Sequence, residues 1–195
     1  MRYDREHKAR ARERILEAAA KAIRKEGPER IGVASVMKDA GLTHGGFYAH
    51  FPSKEALVAE AVGKMFEGPY SRFAAETEGR GPAEALAAYV DFYLSPRHRD
   101  ARDQGCPLPA LSGEMARLPE AARAQFNQGA AHLRQALAGF LRDMDRPEPD
   151  RLAASVLAEL VGAMALARTE DDREWSDQML SASRKAVKAR LGLLN

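Results

Sequence analysis

The sequence is short of several things at once. It holds one cysteine, Cys106, which alone can form neither an internal disulfide nor a zinc site. It has no convincing run of period-2 alternation, so a sheet is not expected. The apolar stretch from Leu160 to Ala167 falls far short of the roughly 20 residues a membrane helix needs. The first fourteen residues carry Arg2, Arg5, Lys8, Arg10, Arg12 and Arg14 without an apolar run, which is not how a signal peptide is built. Internal repeats and low-complexity tracts are missing too. These absences point to a soluble, cytoplasmic chain with no metal or other cofactor and no membrane partner.

What is present is helical period. Ile15, Ala19, Ala22 and Ile23 share one face of a helix, as do Leu133, Leu137, Phe140, Leu141 and Met144, and again Val156, Leu160, Met164 and Ala167. Proline and glycine fall between these runs. The pattern predicts an all-α fold of about nine helices: Glu6–Glu26, Val33–Ala40, His44–Phe51, a helix from Pro52-Ser53 to Glu76 kinked or split at Gly68-Pro69, Gly81-Pro82 to Leu94, Pro107–Leu118, Pro119–Met144, Asp150–Arg168 with Asp150 as N-cap, and Arg173–Leu191. Ser95 to Gly105 is polar and reads as a loop or frayed turn.

The 195 residues carry 30 Lys+Arg against 28 Asp+Glu, a net charge of +2. That average hides a gradient. Residues 1–64 hold 13 cations and 9 acids, residues 65–195 hold 17 and 19, and the excess gathers in the first fourteen positions. A basic arm running into a helix suits phosphate contacts; it also suits an ordinary solvated helix start.

Residues 31–57 read IGVASVMKDAGLTHGGFYAHFPSKEAL. Two short helices joined by a tight turn at Gly41 have the length and shape of a helix-turn-helix. Val33, Val36, Met37 and Ala40 give the first an apolar face, and Leu42 plugs the turn. Phe47 and Phe51, four apart, give the second one buried face. The remainder, Thr43, His44, Gly45, Tyr48, Ala49 and His50, is polar, aromatic and small, and carries no acid.

The run AGLTHGGFYAHFPSKEAL resembles the strongest motif of the TetR family of bacterial transcriptional regulators. The preceding Arg-rich helix with Ile15, Leu16, Ala18 and Ala19, the total length and the two long C-terminal helices fit as well. One departure is Gly32, where that family usually has Ser or Thr. The resemblance implies a three-helix DNA-binding domain over residues 1–52 and a larger helical ligand-binding and dimerisation domain over 53–195. Thr43 is placed to cap the recognition helix and to offer its hydroxyl to phosphate. Gly45 and Gly46 keep that helix slim enough to sit deep in a major groove; a loose turn is the plainer account of them. By resemblance Tyr48, His50 and Lys54 reach phosphates, and His44 is the best candidate for a base edge. His50 could instead pack on the domain core.

The resemblance further implies a homodimer whose reading heads lie roughly 34–36 Å apart on a palindromic double-stranded operator. The last two helices are its expected interface. Ala154, Ala158, Gly162 and Ala165 place small residues at helical spacing, while Val156, Leu160, Met164, Met179, Val187 and Leu191 supply apolar area; the same faces could equally be the chain's own core. Phe66, Tyr70, Phe73, Tyr89, Phe92, Tyr93, Met115 and Phe126 suit an apolar pocket for an unidentified small-molecule effector, or a filled core. Few acids lie nearby, so a strongly cationic ligand is not indicated. Cys106 follows the basic stretch Arg97, His98, Arg99 and Arg102 at a helix start, a setting that lowers a thiol pKa. It resembles a cysteine of electrophile- and oxidant-sensing relatives, and it also reads as a small buried hydrophobe. The overall expectation is a ligand-responsive repressor and not an enzyme. An architectural DNA-binding protein without ligand, or a cysteine enzyme using Cys106 with His98 or His132, are the alternatives.

Overall fold

The computed structural model describes residues 2–193. The side chain of Arg2, counted with the basic arm, lies outside the described residues. The described residues contain no strand and form ten α-helices: α1 (Arg2–Glu26), α2 (Val33–Asp39), α3 (Lys54–Lys64), α4 (Glu67–Thr77), α5 (Pro82–Tyr93), α6 (Pro96–Asp100), α7 (Pro107–Leu111), α8 (Glu120–Asp143), α9 (Pro149–Thr169) and α10 (Arg173–Arg190). Two 3-10 turns, His44–Ala49 and Met115–Arg117, complete the list.

Several boundaries differ from the expected ones, each for a local reason. The expected split in the fourth helix comes at Met65-Phe66, ahead of Gly68-Pro69. Pro69 then sits in the first turn of α4, where a missing N–H costs nothing. Pro107 to Leu118 is a short helix followed by a 3-10 turn. Helix α9 starts one residue before Asp150: Pro149 holds the first helical position and Glu148, at φ 47°, holds the cap. The segment read as a loop contains α6. Pro96 opens it, and the Ser95 hydroxyl caps it by accepting from the His98 amide at 3.2 Å. Helix α9 is, by length and composition, apolar enough to cross a membrane. Its apolar side (Ala153, Val156, Leu157, Leu160, Ala163, Met164, Ala167) is buried in the protein's own core.

The chain divides into two compact units. The first comprises residues 1–67 and 111–129, the second 68–110 and 130–195. Residues 53–67, which include α3, cluster with the first unit. In the first unit α1 packs on both α2 and α3. Ile15, Ala19 and Ile23 of α1 and Leu57, Ala61 and Val62 of α3 are fully buried, so α3 belongs to that core. Arg24 donates to the Met65 carbonyl at 2.8 Å, and Lys64 pairs with Glu13. In the second unit α9 and α10 form the main helix pair and α5 packs against both. A buried polar knot ties α6 to them. Arg99 donates to the Ser176 hydroxyl (2.8 Å) and to Asp177 (2.6 Å), and Ser176 donates to the Ala167 carbonyl (2.7 Å).

Candidate functional site

Two places in the molecule gather the expected functional residues. The first is the turn after α2. Gly41 takes φ +69°, a left-handed conformation that glycine adopts without a Cβ penalty. Its amide donates to the Lys38 carbonyl and the Leu42 amide to the Met37 carbonyl, both at 2.9 Å. This pair of bonds is the Schellman stop of a helix, and it turns the chain sharply toward His44.

The segment expected as an α-helix from His44 to Phe51 is a 3-10 turn over His44–Ala49. Two adjacent glycines cost a helix about 1 kcal/mol each, and 3-10 geometry is the usual solution for so short a piece. Phe47 and Phe51 are buried and stack with centroids 5.9 Å apart. The Arg12 guanidinium lies 4.6 Å above the Phe51 ring. Thr43, His44, Gly45 and Ala49 are exposed, and Tyr48 is 74% exposed, unusual for so large an apolar surface. Thr43 occupies the N-cap position, but its side chain makes no capping bond. A Cβ at Gly45 would meet nothing within 4 Å, and one at Gly46 would meet only ordinary contacts at 3.8 Å. The chain's own packing therefore does not demand either glycine.

His50 and Lys54 are less open than Tyr48. His50 is half-buried with its Nδ1 enclosed and without a partner. Burial, with Lys8 and Arg12 nearby, lowers its pKa and favours the neutral ring. Lys54 donates to the Glu29 carbonyl at 2.9 Å, which leaves its charge and two donors. Gly32 caps α2 with extended backbone and no side-chain bond.

The second place is a cavity of about 280 Å³ in the second unit. Gly68, Pro69, Arg72, Tyr89, Phe92, Tyr93, Arg97, His98, Ala101, Gln104, Gly105 and Cys106 line it. Of the expected pocket residues it takes Tyr89, Phe92, Tyr93 and Cys106. Phe66, Met115 and Phe126 are not there: they are buried in the first unit, where Phe66 meets Phe126 edge-on at 5.8 Å. Phe66 follows α3 directly, and α3 is part of that unit's core. Tyr70 is half-buried against His132 at 4.3 Å, off the cavity wall, and Phe73 is buried against Tyr89 at 4.6 Å.

His98 organises the cavity. The Cys106 amide donates to its Nε2 at 3.2 Å, so Nδ1 carries the proton and donates to the Tyr93 carbonyl at 2.8 Å. Burial lowers its pKa to about 4, with nearby Arg168 and Arg72 acting the same way; the bond to Tyr93 opposes them. The ring is neutral, and both nitrogens are committed to backbone. It offers no base to the Cys106 thiol, and His132 lies tilted against Tyr70 instead, so the cysteine–histidine enzyme arrangement is not formed.

The cations expected to act on Cys106 are mostly engaged elsewhere. Arg99 is bound to Asp100, Ser176 and Asp177, Arg102 donates to the Arg168 carbonyl, and His98 is uncharged. The cation whose charge does interact with Cys106 is Arg168 of α9, 62 positions later in sequence terms and so out of reach of any local motif. Arg168 donates to the carbonyls of His98 (3.2 Å) and Arg99 (3.3 Å). Gly105 makes room for it: a Cβ there would stand 2.6 Å from the Arg168 Nη2 and 2.9 Å from the Ala101 carbonyl. Tyr89 and Tyr93 are fully buried, and burial first, then Cys106, pushes both phenols well above their usual range. The Tyr93 hydroxyl is enclosed without a well-formed hydrogen bond.

Comparison with known proteins fits this geometry. Residues 15–61 match the model of bacterial regulatory proteins of the tetR family, and residues 82–179 match the C-terminal domain of LmrA/YxaF-like transcriptional regulators. The chain is 30% identical over 172 residues to an HTH-type transcriptional regulator of Mycobacterium tuberculosis, covering 83% of this chain and 86% of that protein.

The chain belongs to the TetR family.

It is a DNA-binding transcriptional regulator of helix-turn-helix type. It is also 34% identical over 107 residues to the HTH-type regulator LmrA of Bacillus subtilis, spanning 53% of this chain and 56% of LmrA's length. The TetR fold is shared with a regulator from Chloroflexus aurantiacus (TM-score 0.81, 24% identity, 98% of this chain and 97% of that one). It is shared too with the reduced form of Escherichia coli NemR (TM-score 0.80, 22% identity, 92% and 95%).

Of the residues expected at a dimer interface, Ala154, Ala158 and Gly162 are exposed on α9 and Ala165 is half-exposed, beside Leu166 at 60% exposure. Met164 and Val187 are fully buried within the chain. They face the α9–α10 core and cannot also face a second copy.

Proposed function

We propose that this regulator is a repressor that binds a palindromic operator as a homodimer. A small molecule in the cavity around His98, or modification of Cys106, releases it. The observation that carries the reading is the turn at His44–Ala49. It presents an exposed Tyr48 with Thr43, His44 and Gly45, carries no carboxylate, and holds two glycines for which the chain itself has no use. Close approach to a partner gives those glycines a purpose, and phosphate and base edges suit that surface. In this reading Thr43, Tyr48 and Lys54 contact phosphates, His44 reads a base edge, and His50 contributes as a neutral ring. Residues 1–52, joined by Lys54 at the start of α3, are the DNA-reading part. Residues 53–195 hold the effector and pair the two copies through the Ala154, Ala158, Gly162 and Ala165 face. A regulator of DNA works in the bacterial cytoplasm. That NemR has a distinct reduced form accords with a redox role for Cys106.

The test is binding to DNA upstream of the regulator's own gene. Affinity should fall steeply with added salt, as released counterions require. Tyr48→Ala should lower it with the helical circular dichroism and the particle mass unchanged. A flat salt response, or a folded Tyr48→Ala protein that binds as tightly as the parent, refutes the assignment.

A further inference from the structure

The lining of the cavity is one-sided in charge. Arg72 and Arg97 contribute guanidinium groups and no carboxylate lines it. Arg72 has a partner in Glu76, 3.6 Å away on its own helix. Arg97 is exposed and has no ion-pair partner among the described residues. His98 can add neither a charge nor a donor, since both its nitrogens are bound to backbone. At the other extreme of exposure, the Tyr93 hydroxyl is enclosed, and the polar group beside it is the Cys106 thiol, a weak acceptor. The walls between are flat. Arg72 lies 5.1 Å over Phe92, Phe92 stacks on His98 at 5.3 Å with planes 22° apart, and Tyr89 and Tyr93 meet at 5.8 Å. The volume of about 280 Å³ lies just under the range of drug-sized sites, which starts at about 300 Å³.

From these features we propose that the cavity takes a planar aromatic monoanion of one or two rings. Its rings lie against Phe92, Tyr89 and Tyr93, its negative group meets Arg97, and an oxygen at the enclosed end accepts from Tyr93. A cation has no counter-charge in the lining. A neutral apolar molecule of the same shape leaves Arg97 without a partner and gives Tyr93 no oxygen in place of the weak thiol acceptor. A small inorganic anion uses the guanidinium but none of the rings. The assignment rests on reading this cavity as the effector site of the proposed repressor.

Titration calorimetry on the full chain with three probes of one shape tests it: 1-naphthoate, 1-naphthamide and 1-naphthylmethylamine. Naphthoate should bind one per chain, about tenfold or more tighter than the amide, because a charge-assisted bond is replaced by a neutral one. The amine should not bind. Arg97→Gln should remove most of the preference for the acid while leaving the amide nearly unchanged. Tyr93→Phe, which deletes only the hydroxyl, should weaken acid and amide alike. Equal binding of acid and amide, binding of none of the three, or an acid preference that survives Arg97→Gln overturns the assignment. Operator release is measured separately with the same probes. Naphthoate that binds as described but leaves the DNA complex intact keeps the ligand class and refutes the effector reading.

Discussion

Helix α8 contains two glycines that invite opposite outcomes from the same substitution. A Cβ at Gly139 would meet nothing within 4 Å. Gly139→Ala should therefore recover the full propensity difference, a stabilisation of about 0.8–1.0 kcal/mol. Gly129 is buried, and a Cβ there would stand 2.5 Å from both Cε2 and Cγ of the Phe66 ring. That ring is fully buried and held edge-on by Phe126, so it has no solvent-facing direction in which to retreat. Overpacking of this kind costs about 1–3 kcal/mol. Set against the same propensity gain, Gly129→Ala should be net destabilising by up to about 2 kcal/mol. Urea unfolding of the two single variants, followed by circular dichroism, measures the contrast. Phe66→Leu combined with Gly129→Ala should lose less than the two single losses together, since the leucine vacates the space the new methyl needs. If Gly129→Ala is stabilised as much as Gly139→Ala, the reasoning fails, because the tight seat of Phe66 on α8 would then not exist.

Two further outcomes follow from the second unit. Folded His98 titrates near pH 4 and an unfolded histidine near 6.5, so between those values the unfolded chain binds a proton that the folded chain refuses. Stability contributed by this site should be complete above pH 6.5 and decline toward pH 4, by on the order of 3 kcal/mol. Unfolding curves compared at pH 7 and pH 5 should show less loss in His98→Gln than in the parent; identical losses would contradict the buried neutral ring. Gly162 of α9 is exposed with open space around it, so Gly162→Leu should leave the chain folded while lowering the mass seen by light scattering toward that of one copy. An unchanged dimer mass would move the interface away from this face.

Much of this fold is written locally, and much of the site is not. Helix α1 is legible because Ile15, Ala19 and Ile23 repeat on one face and all three are buried. The turn at Gly41 is legible because only its φ makes glycine the natural choice. Helix α6 was not legible. Its sequence, PRHRD, is polar throughout, and the partners that bury Arg99, Ser176 and Asp177, lie in α10. The aromatic residues were visible as a set, but composition does not say which of two cores each one enters. Phe66, Met115 and Phe126 therefore joined the wrong group. For α9 the period identified two apolar sides without ranking them, and the structure turns Met164 inward and leaves Gly162 outside.

The two bonds of His98 have a mechanical side. One nitrogen grips the Tyr93 carbonyl, the other the Cys106 amide, and the chain between them is thereby cinched into a closed loop. The imidazole acts as a clasp at the throat of that loop, with Arg168 pressing on the same backbone at His98 and Arg99. A clasped loop keeps its contour when empty, so an incoming molecule is spared the cost of ordering it. Arg168 roots the same loop in the last turn of α9, so the rim of the cavity and that helix end share one set of backbone bonds.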